Sequence, residues 1–458
     1  MAVATGFHHT FVITENAQVY AMGNNYSGVL GIGTTEPSDI FLRIEGENEG
    51  TPGFNGEHAI MVATSYTRCA CVTEEGSLWT WGSSTSGALG TAERFGEDAP
   101  RLRPDCVVAE LYGRSRARMV ALGLEFTMLL TTDGHIWNCG DSERGELGHG
   151  DRVTRINWTM INPIHFDNSS IAMISAGWYH SVAQVAGTGL LYTWGEIGQG
   201  ALGYPCNDPN TMLPRALPAA AFDNVDIASF CAGTQHTMVV TVLGSVYGTG
   251  YNRDGQLGLG YTTQTETFQL VGGPNPFEGQ EVRTVSCGGN HTLFITNINV
   301  LWHCGKTLHR YTSSEHKDFE WNLYPKLVHT KTRFKVASAG FMHSAAIACN
   351  GDLCIWGCNV SHMEYEKKPN GAVLRNYVGN FGTPKRMHRI AFSDQRVGRW
   401  HKIPYKRAVA IMMSSNFRLA SDSTILNFDP DLLRVIMGYT IFRPRGDTGS
   451  ALRRLIGF

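Results

Sequence analysis

The sequence predicts an all-β protein: a seven-bladed β-propeller of four-stranded antiparallel blades, followed by a small, partly helical C-terminal extension. Three observations support this prediction. One phrase recurs seven times, at spacings of 59, 58, 55, 55, 55 and 52 residues between its closing glycines. Each copy reads as four short strands, and glycine is frequent, at 52 of 458 residues, as tight turns require. The closing glycines are Gly23, Gly82, Gly140, Gly195, Gly250, Gly305 and Gly357.

The four strands follow one another in a fixed order in each copy. The first is an apolar run before an opening glycine, such as Ile171–Ala176, and the second begins at a histidine, as in His236–Thr241. A dipeptide favoured in tight hairpins, such as Asp133-Gly134, leads to a short aromatic third strand, such as Leu78-Trp79-Thr80-Trp81. A glycine-rich loop and a fourth strand complete the unit, as in the run from Pro384 to Ile390.

Such a sheet cannot bury both faces alone, but seven sheets arranged radially can, because each blade packs on its neighbours. The chain opens with a stub of a first strand, which we expect to pair within the ring closure and join the two ends. Repeats six and seven carry irregular inserts, at 303–334 and 358–383, in place of the loop motif Gly-x-Leu-Gly. That motif occurs in the other five repeats, at Gly28–Gly31, Gly87–Gly90, Gly145–Gly148, Gly200–Gly203 and Gly255–Gly258.

Charge divides the chain into two parts. Residues 396–458 contain 11 basic and 4 acidic residues, a net charge of +7, which leaves −9 for the rest of a chain whose net charge is −2. We therefore expect a propeller over 1–395 and a basic extension over 396–458 that docks on it, with short helices at 429–437 and 450–458. The basic residues either contact an acidic partner such as chromatin or nucleic acid, or pair with the acidic propeller. They include Lys402, Lys406, Arg407, Arg443, Arg445, Arg453 and Arg454.

The eleven cysteines lack the paired spacing of a zinc site. Cys139 and Cys304 occupy the third-strand position of Trp81, and Cys231 and Cys287 stand just before an opening glycine. All four are predicted to be core thiols without a redox or metal role, which favours a reducing compartment, the cytoplasm or nucleus. The N-terminus has no secretory pattern, and no run of about 18 apolar residues suggests a membrane span.

The repeated histidines are expected to bond within their own blade and hold a turn, because they recur with the period. They are His9, His180, His236, His291 and His343, and repeats two and three substitute Thr67 and Phe126. Gly305-Lys306-Thr307 resembles the end of a phosphate-binding loop but lacks the first glycine and a following helix. No catalytic motif was found, so the sequence predicts a non-enzymatic protein without cofactor or metal.

The repeated phrase resembles that of the regulator of chromosome condensation family: Gly-x-x-His-Thr, then Tyr/Trp-x-Trp-Gly, then Asn-x-x-Gly-x-Leu-Gly. The resemblance covers residues 1 to 395 and implies that the two variable residues before each histidine line one rim and face partners. Aromatic residues and methionine commonly anchor protein interfaces. The predicted partner-binding residues are Phe7, His8, Tyr66, Glu125, Trp178, Tyr179, Gln235, Asn290, Phe341 and Met342. The other rim positions are Ser65, Leu124, Thr234 and Gly289.

The resemblance allows two functions. The founding member of the family is a guanine nucleotide exchange factor for the small GTPase Ran, docked on chromatin, so a Ran-type GTPase or histones are implied as partners. Here Glu125 is the one acidic residue among the fourteen rim positions, and no loop resembles the family's Arg-Asp-Asn-Asn-Gly wedge. Photoreception like that of the plant UV-B receptor is disfavoured, because only Gly177-Trp178-Tyr179-His180-Ser181 approaches its repeated motif. The sequence therefore favours a protein-interaction scaffold that does not bind membranes, with exchange activity as the alternative.

Overall fold

A computed structural model describes residues 1–46, 53–91, 99–196, 198–205, 211–273, 276–311, 317–328, 331–357, 363–368, 371–376 and 381–386, with the backbone alone for 308–319 and after 357. Within these ranges the strands form seven four-stranded antiparallel sheets and one two-stranded hairpin. The predicted seven-bladed propeller is thus confirmed. The extension predicted at 396–458, with its helices and basic residues, lies outside the described ranges.

The first four blades each use four consecutive strands. Blade one comprises β1 (Ala2–Thr5), β2 (His9–Ile13), β3 (Val19–Gly23) and β4 (Ser38–Arg43). Blade two comprises β5 (Ala59–Thr64), β6 (Arg68–Thr73), β7 (Leu78–Gly82) and β8 (Arg101–Val107). Blade three comprises β9 (Ala117–Leu122), β10 (Phe126–Thr131), β11 (Ile136–Gly140) and β12 (Arg155–Met160). Blade four comprises β13 (Ile171–Ala176), β14 (His180–Val185), β15 (Leu191–Gly195) and β16 (Arg215–Ala216).

The last three blades include two additions to the four-stranded pattern, a long hairpin in blade six and an inserted hairpin in blade seven. Blade five comprises β17 (Ile227–Ala232), β18 (His236–Thr241), β19 (Val246–Gly250) and β20 (Thr265–Leu270). Blade six comprises β21 (Val282–Cys287), β22 (His291–Thr296), β23 (Leu301–Tyr311) and β24 (Lys317–Leu327). Blade seven comprises β25 (Phe334–Ala339), β26 (His343–Ala348), β27 (Leu353–Gly357) and β30 (Phe381–Arg386), and between its last two strands the hairpin of β28 (Met363–Lys368) and β29 (Gly371–Asn376) is inserted.

Short 3-10 turns are the helical elements that the described residues contain. They span Gly53–Gly56, Thr85–Gly87, Ala109–Tyr112, Pro163–Phe166, Ala219–Phe222 and Pro276–Gly279. Five of them connect the fourth strand of one blade to the first strand of the next. No helix in the described part of the chain has the length and apolar character needed to cross a membrane.

The ends of the ring meet differently from the prediction. Strand β1 does not pair with the last blade; it pairs with β2 of its own blade, with Ala2 opposite Ile13 and Thr5 opposite Thr10. Blade one then meets blade seven through hydrogen bonds across the interface. The backbone amide of Thr5 donates to Ser338 Oγ at 3.0 Å, and that of Phe341 donates to the Gly6 carbonyl at 3.1 Å. Closure therefore rests on packing between blades and not on a shared strand.

The core lies in layers between neighbouring blades. In the first layer, Phe11 of blade one packs with Trp79 and Trp81 of blade two. The residue before the closing glycine adds a polar contact to the preceding blade: Trp194 Nε1 donates to the Glu146 carbonyl at 2.8 Å, and Cys304 Sγ donates to the Gln256 carbonyl at 3.1 Å. Cys139 makes the same kind of contact, to the Ala88 carbonyl at 3.6 Å, so Cys139 and Cys304 are core thiols as predicted.

Candidate protein-interaction site

The propeller presents its repeated turns and loops on one side. In each blade the start of the second strand pairs with the closing glycine of the third, as His180 does with Gly195. The Gly-x-x-His turns between first and second strands and the loops between third and fourth strands therefore lie on the same face, which we call the loop face. The tight turns between second and third strands lie on the opposite, hairpin face.

The repeated histidines link blades to one another, which corrects the expectation that each bonds within its own blade. The ring nitrogen Nε2 reaches the hydroxyl that follows the equivalent histidine, at 2.9 Å from His180 to Thr237 and 3.1 Å from His236 to Thr292. Equivalent contacts join His291 to Ser344, His343 to Thr10 and His9 to Thr64. For His9, too, the partner hydroxyl belongs to the next blade, although Thr64 is the last residue of that blade's first strand.

Burial keeps these five imidazoles neutral. Desolvation lowers the pKa of His180 to about 4 and the pKa of the other four to about 3. A histidine that stays uncharged at neutral pH and donates or accepts one bond to a hydroxyl acts as a fixed hydrogen-bonding group. Their role is structural, as the sequence predicted, although the bond runs between blades.

Blade two departs from the pattern in a way that the sequence reading misplaced. Arg68, and not Thr67, takes the histidine position, because Arg68 pairs with Gly82 and its carbonyl accepts from the Ser65 amide at 2.9 Å. Ser65 thus stands at the opening-glycine position, and the variable pair of this blade is Tyr66-Thr67 and not Ser65-Tyr66. The fully buried Arg68 guanidinium binds Glu125 Oε2 of blade three at 2.8 Å and also bonds the Leu124 carbonyl.

The predicted rim residues include an aromatic cluster that extends over the channel mouth. The Phe7 and Phe341 rings stack with centroids 4.0 Å apart, and Trp178 stacks on Phe341 at 5.5 Å with the ring planes 6° apart. Tyr66 meets Phe7 edge-on at 4.5 Å. Trp178 and Phe341 belong to blades four and seven, which are as far apart as a ring of seven allows. The aromatic cluster, defined as Phe7, Tyr66, Trp178 and Phe341, therefore crosses the central axis.

Backbone hydrogen bonds between neighbouring turns hold this cluster in place. The amide of Leu124 donates to the Trp178 carbonyl, and the amide of Trp178 donates to the Thr234 carbonyl, both at 3.1 Å. On the far side, the Phe341 amide bonds Gly6 and the Gly289 amide bonds Gly340, both at 3.1 Å. Because adjacent turns are tied together, the aromatic side chains start from a fixed backbone.

A charged and aromatic group borders the cluster at blades three and four. Tyr179 meets Trp178 edge-on at 6.4 Å, and the Arg144 guanidinium lies 4.3 Å from the Tyr179 ring centroid. Arg144 also forms an ion pair with Glu196. Burial raises the pKa of Tyr179, so its phenol stays protonated. An aromatic surface next to an ion pair combines apolar contact area with polar specificity.

The remaining predicted residues lie in different settings. His8 contacts Phe7 edge-on at 4.3 Å, whereas Glu125 is tied to Arg68. Gln235 and Asn290 are half-buried, and their carbonyls accept from the residues that follow the closing glycines of their blades. Met342 is half-buried beside Phe341. Six of the ten predicted residues thus form one network: Phe7, His8, Tyr66, Trp178, Tyr179 and Phe341.

A regular element on the same face was not expected from the sequence. The supposed irregular insert of repeat six is a long hairpin, in which β23 and β24 each have eleven residues. Gly305-Lys306-Thr307 continues β23 as extended strand. Trp321 on β24 is 51% exposed, and its Nε1 donates to Asp254 Oδ1 at 3.1 Å. The alternation of Phe319, Trp321 and Leu323 along this segment was the signal for a strand.

In the described part of the chain, no group of three or more histidine, cysteine or carboxylate side chains is arranged to hold a metal ion. The neutral histidines are committed to hydroxyls of neighbouring blades. The arrangement instead offers a rigid, partly exposed aromatic surface.

Comparison with known proteins agrees with this architecture. A family model described as the RCC1-like domain matches residues 1–328. The ultraviolet-B receptor UVR8 of Arabidopsis thaliana is 31% identical over 307 residues, which cover 67% of this chain and 65% of the receptor. The regulator of chromosome condensation of Xenopus laevis is 28% identical over 306 residues, covering 64% of this chain and 68% of that protein.

The solved structures support the fold. Prp20p of Saccharomyces cerevisiae, described together with its binding to Gsp1p and histones, superposes with a TM-score of 0.66 at 17% sequence identity. The match covers 84% of this chain and 88% of Prp20p. At this identity the likeness concerns the architecture alone.

Proposed function

The chain belongs to the RCC1-like domain family, and from this premise we propose that it is a non-enzymatic protein-interaction scaffold that binds a protein partner through its loop face. The aromatic cluster at the channel mouth is the observation that carries the proposal. A surface used for recognition needs apolar anchors that are accessible before binding and already held in place. Stacked rings on a hydrogen-bonded set of turns meet both needs.

The exposure of these residues supports the same conclusion. Tyr66 is 49% exposed, and Phe7, Trp178, Tyr179 and Phe341 are half-buried. Aromatic side chains whose only role was packing would be expected to be as fully buried as Phe11 and Trp81 are. Interface hot spots are enriched in tryptophan and tyrosine surrounded by residues that exclude water. Tyr179, backed by Arg144, fits such a position.

The first test is capture of partners by the full chain with the double substitution Trp178→Ala/Tyr179→Ala. Loss of two anchors is expected to lower the recovery of specific partners at least about tenfold, as removal of hot-spot side chains does. The melting temperature should change little, because both side chains are partly exposed already. Quantitative mass spectrometry of proteins retained from the native cell extract, compared with the parent chain, gives the measurement.

The matched control is Val242→Ala/Leu243→Ala on the hairpin face. These side chains are 59% and 65% exposed, so the control removes comparable apolar surface from the opposite side. If both double variants capture the same proteins as the parent, the loop face is not the binding surface. A loss confined to the control would move the binding site to the hairpin face.

Guanine nucleotide exchange is the second candidate function, favoured by the relation to the regulator of chromosome condensation. Its weakness here is Glu125, the one acidic residue among the predicted rim positions, which is bound to Arg68. Release of a fluorescent nucleotide from a Ran-type GTPase would decide between the two. Acceleration by the parent chain supports exchange activity; an unchanged release rate favours the scaffold. Binding of chromatin or nucleic acid through the basic residues of 396–458 remains part of the proposal.

A further inference from the structure

A hydrogen bond joins the innermost strands of neighbouring blades just below the loop face. From blade four onward, the next-to-last residue of a blade's first strand accepts, through its side chain, a hydrogen bond from the last backbone amide of the next blade's first strand. Ala232 N donates to Ser175 Oγ at 3.0 Å, and Ala339 N donates to Ser286 Oγ at the same distance. This contact is a recurring feature of the blade interfaces from blade four onward.

Between blades five and six both positions of this contact are cysteines. Cys287 N donates to Cys231 Sγ at 3.2 Å, and Cys287 Sγ donates to the Cys231 carbonyl at 3.3 Å. The equivalent side chains between blades seven and one, Thr5 and Ser338, have their hydroxyl oxygens 2.8 Å apart. The two positions therefore direct their side chains at each other, and here they bring two thiols together.

We propose that Cys231 and Cys287 form a reversible disulfide between blades five and six when the protein meets a peroxide. Both were expected to be core thiols; Cys287 is 8% exposed, whereas Cys231 is partly buried. Cys231 is therefore the more accessible residue of the pair. A reactive cysteine next to a resolving cysteine is the usual arrangement of a reversible thiol pair.

The reaction balances as a two-electron oxidation. The Cys231 thiolate attacks the peroxide, forms an S–O bond as the O–O bond breaks, and leaves a sulfenic acid and one water after proton transfer. Cys287 sulfur then attacks the Cys231 sulfur, forms the S–S bond, and expels the hydroxyl, which leaves as a second water with the Cys287 proton. One hydrogen peroxide is consumed for each disulfide.

The local electrostatics agree with this order of attack. The hydrogen bond from Cys287 lowers the pKa of the Cys231 thiol, and burial raises the pKa of the Cys287 thiol well above its usual range. The Cys231 sulfur is thus the better nucleophile of the two. By contrast, burial strongly raises the pKa of Cys139 and Cys304, which are fully enclosed.

The test treats the reduced full chain with hydrogen peroxide, blocks the remaining thiols with an alkylating reagent, and maps linked peptides after digestion without reductant. We expect a peptide pair joining residues 231 and 287, loss of two titratable thiols, and a rise in melting temperature of several degrees that dithiothreitol reverses. The rise follows because a cross-link between residues 56 apart restricts the unfolded chain.

The matched variants are Cys231→Ser and Cys287→Ala, which place at these positions the residues that neighbouring blades already carry, as Ser175 and Ala232 show. Both should fold and should lose the linked peptide and the reversible rise in melting temperature. Linkage dominated by other cysteines, sulfinic acid at Cys231 without a disulfide, or a rise that persists in both variants would overturn the proposal.

Discussion

In several repeats the opening glycine is required by the ring three residues later. A Cβ atom on Gly6 would lie 2.1 Å from His9 Nε2, and one on Gly123 would lie 1.9 Å from the Phe126 ring. Real Cβ atoms do not approach that closely, so glycine is required wherever the fourth residue is a ring. Blade two shows the converse: Arg68 extends away to Glu125, and Ser65 replaces glycine.

A buried carboxyl in the loop of blade three makes a prediction at the same scale. Burial raises the pKa of Glu146 to about 7, although its oxygen accepts a bond from the Arg144 amide at 2.9 Å. The folded state therefore holds a proton that the unfolded state releases. The stabilising contribution of this protonated carboxyl is fully present below about pH 4.5 and is lost as the pH rises through 7. The equivalent residue in blade five is Gln256, whose oxygen accepts from the Asp254 amide.

Glu146→Gln should accordingly raise the free energy of unfolding by about 2–3 kcal/mol at pH 8 and change it little at pH 4.5. Glutamine keeps the acceptor and removes the cost of a buried charge. Denaturant unfolding at the two pH values measures the difference. Glu143→Gln, at an exposed position, is the matched control and should change the free energy of unfolding by no more than about 0.5 kcal/mol, as surface substitutions usually do. An equal effect of Glu146→Gln at both pH values would argue against a raised carboxyl pKa.

At the scale of the blade interface, each pair of neighbours has its own polar link on the loop face. His9 joins blades one and two, Arg68 joins two and three, and the Leu124 amide joins three and four. The remaining interfaces use the histidine–hydroxyl bond. Blade three still carries a hydroxyl at the equivalent position, that of Thr127, which a histidine at position 68 would reach.

Arg68→His alone should destabilise the protein by about 2–4 kcal/mol, because the imidazole would meet the Ser65 Cβ and Glu125 would lose its partner. Adding Ser65→Gly should recover at least half of that loss by making room for a histidine–Thr127 bond. Chemical denaturation of the parent, the two single variants and the double variant measures the coupling. Ser65→Gly by itself should cost no more than about 1 kcal/mol. Additive effects of the two substitutions would contradict this account of the interface.

The elements also show what the sequence could and could not predict. The period and the closing glycines were sufficient to predict the seven blades, because each copy repeats the same strand order. The degenerate copy at Thr67 and Arg68 was misaligned by one residue, since only the pairing of Arg68 with Gly82 reveals its register. The contact between Trp178 and Phe341 was not predictable from residues 163 positions apart, because it depends on how the ring closes.

At the scale of the whole molecule, the ring is closed by polar contacts and packing at the interfaces between neighbouring blades, and one type of contact recurs at most of them. Strand β1 stays within its own blade, so no single strand locks the circle. Neutral histidines contribute to five of the seven interfaces, including the closing one, where His343 reaches Thr10 at 3.0 Å. The stability of the propeller should therefore depend on all five imidazoles being unprotonated at the same time.

Acid should open the propeller before most carboxylates titrate. The five linking histidines have pKa values of about 3 to 4 in the fold, and burial lowers those of His149 and His303 to about 4. Their pKa in the unfolded chain is 6.5, so the unfolded state binds more protons as the pH falls below 6.5, and stability is lost from there downward.

Each of these histidines lowers the free energy of unfolding by about 2 kcal/mol at pH 5. The summed loss from the seven histidines is as large as the free energy of unfolding of a typical domain. Glu146 offsets at most one of the protons taken up. We therefore expect cooperative unfolding near pH 5. Denaturant midpoints from pH 8 to 4.5 measure the proton uptake. Stability that stays flat down to pH 4 would mean that these histidines are not held neutral by the fold.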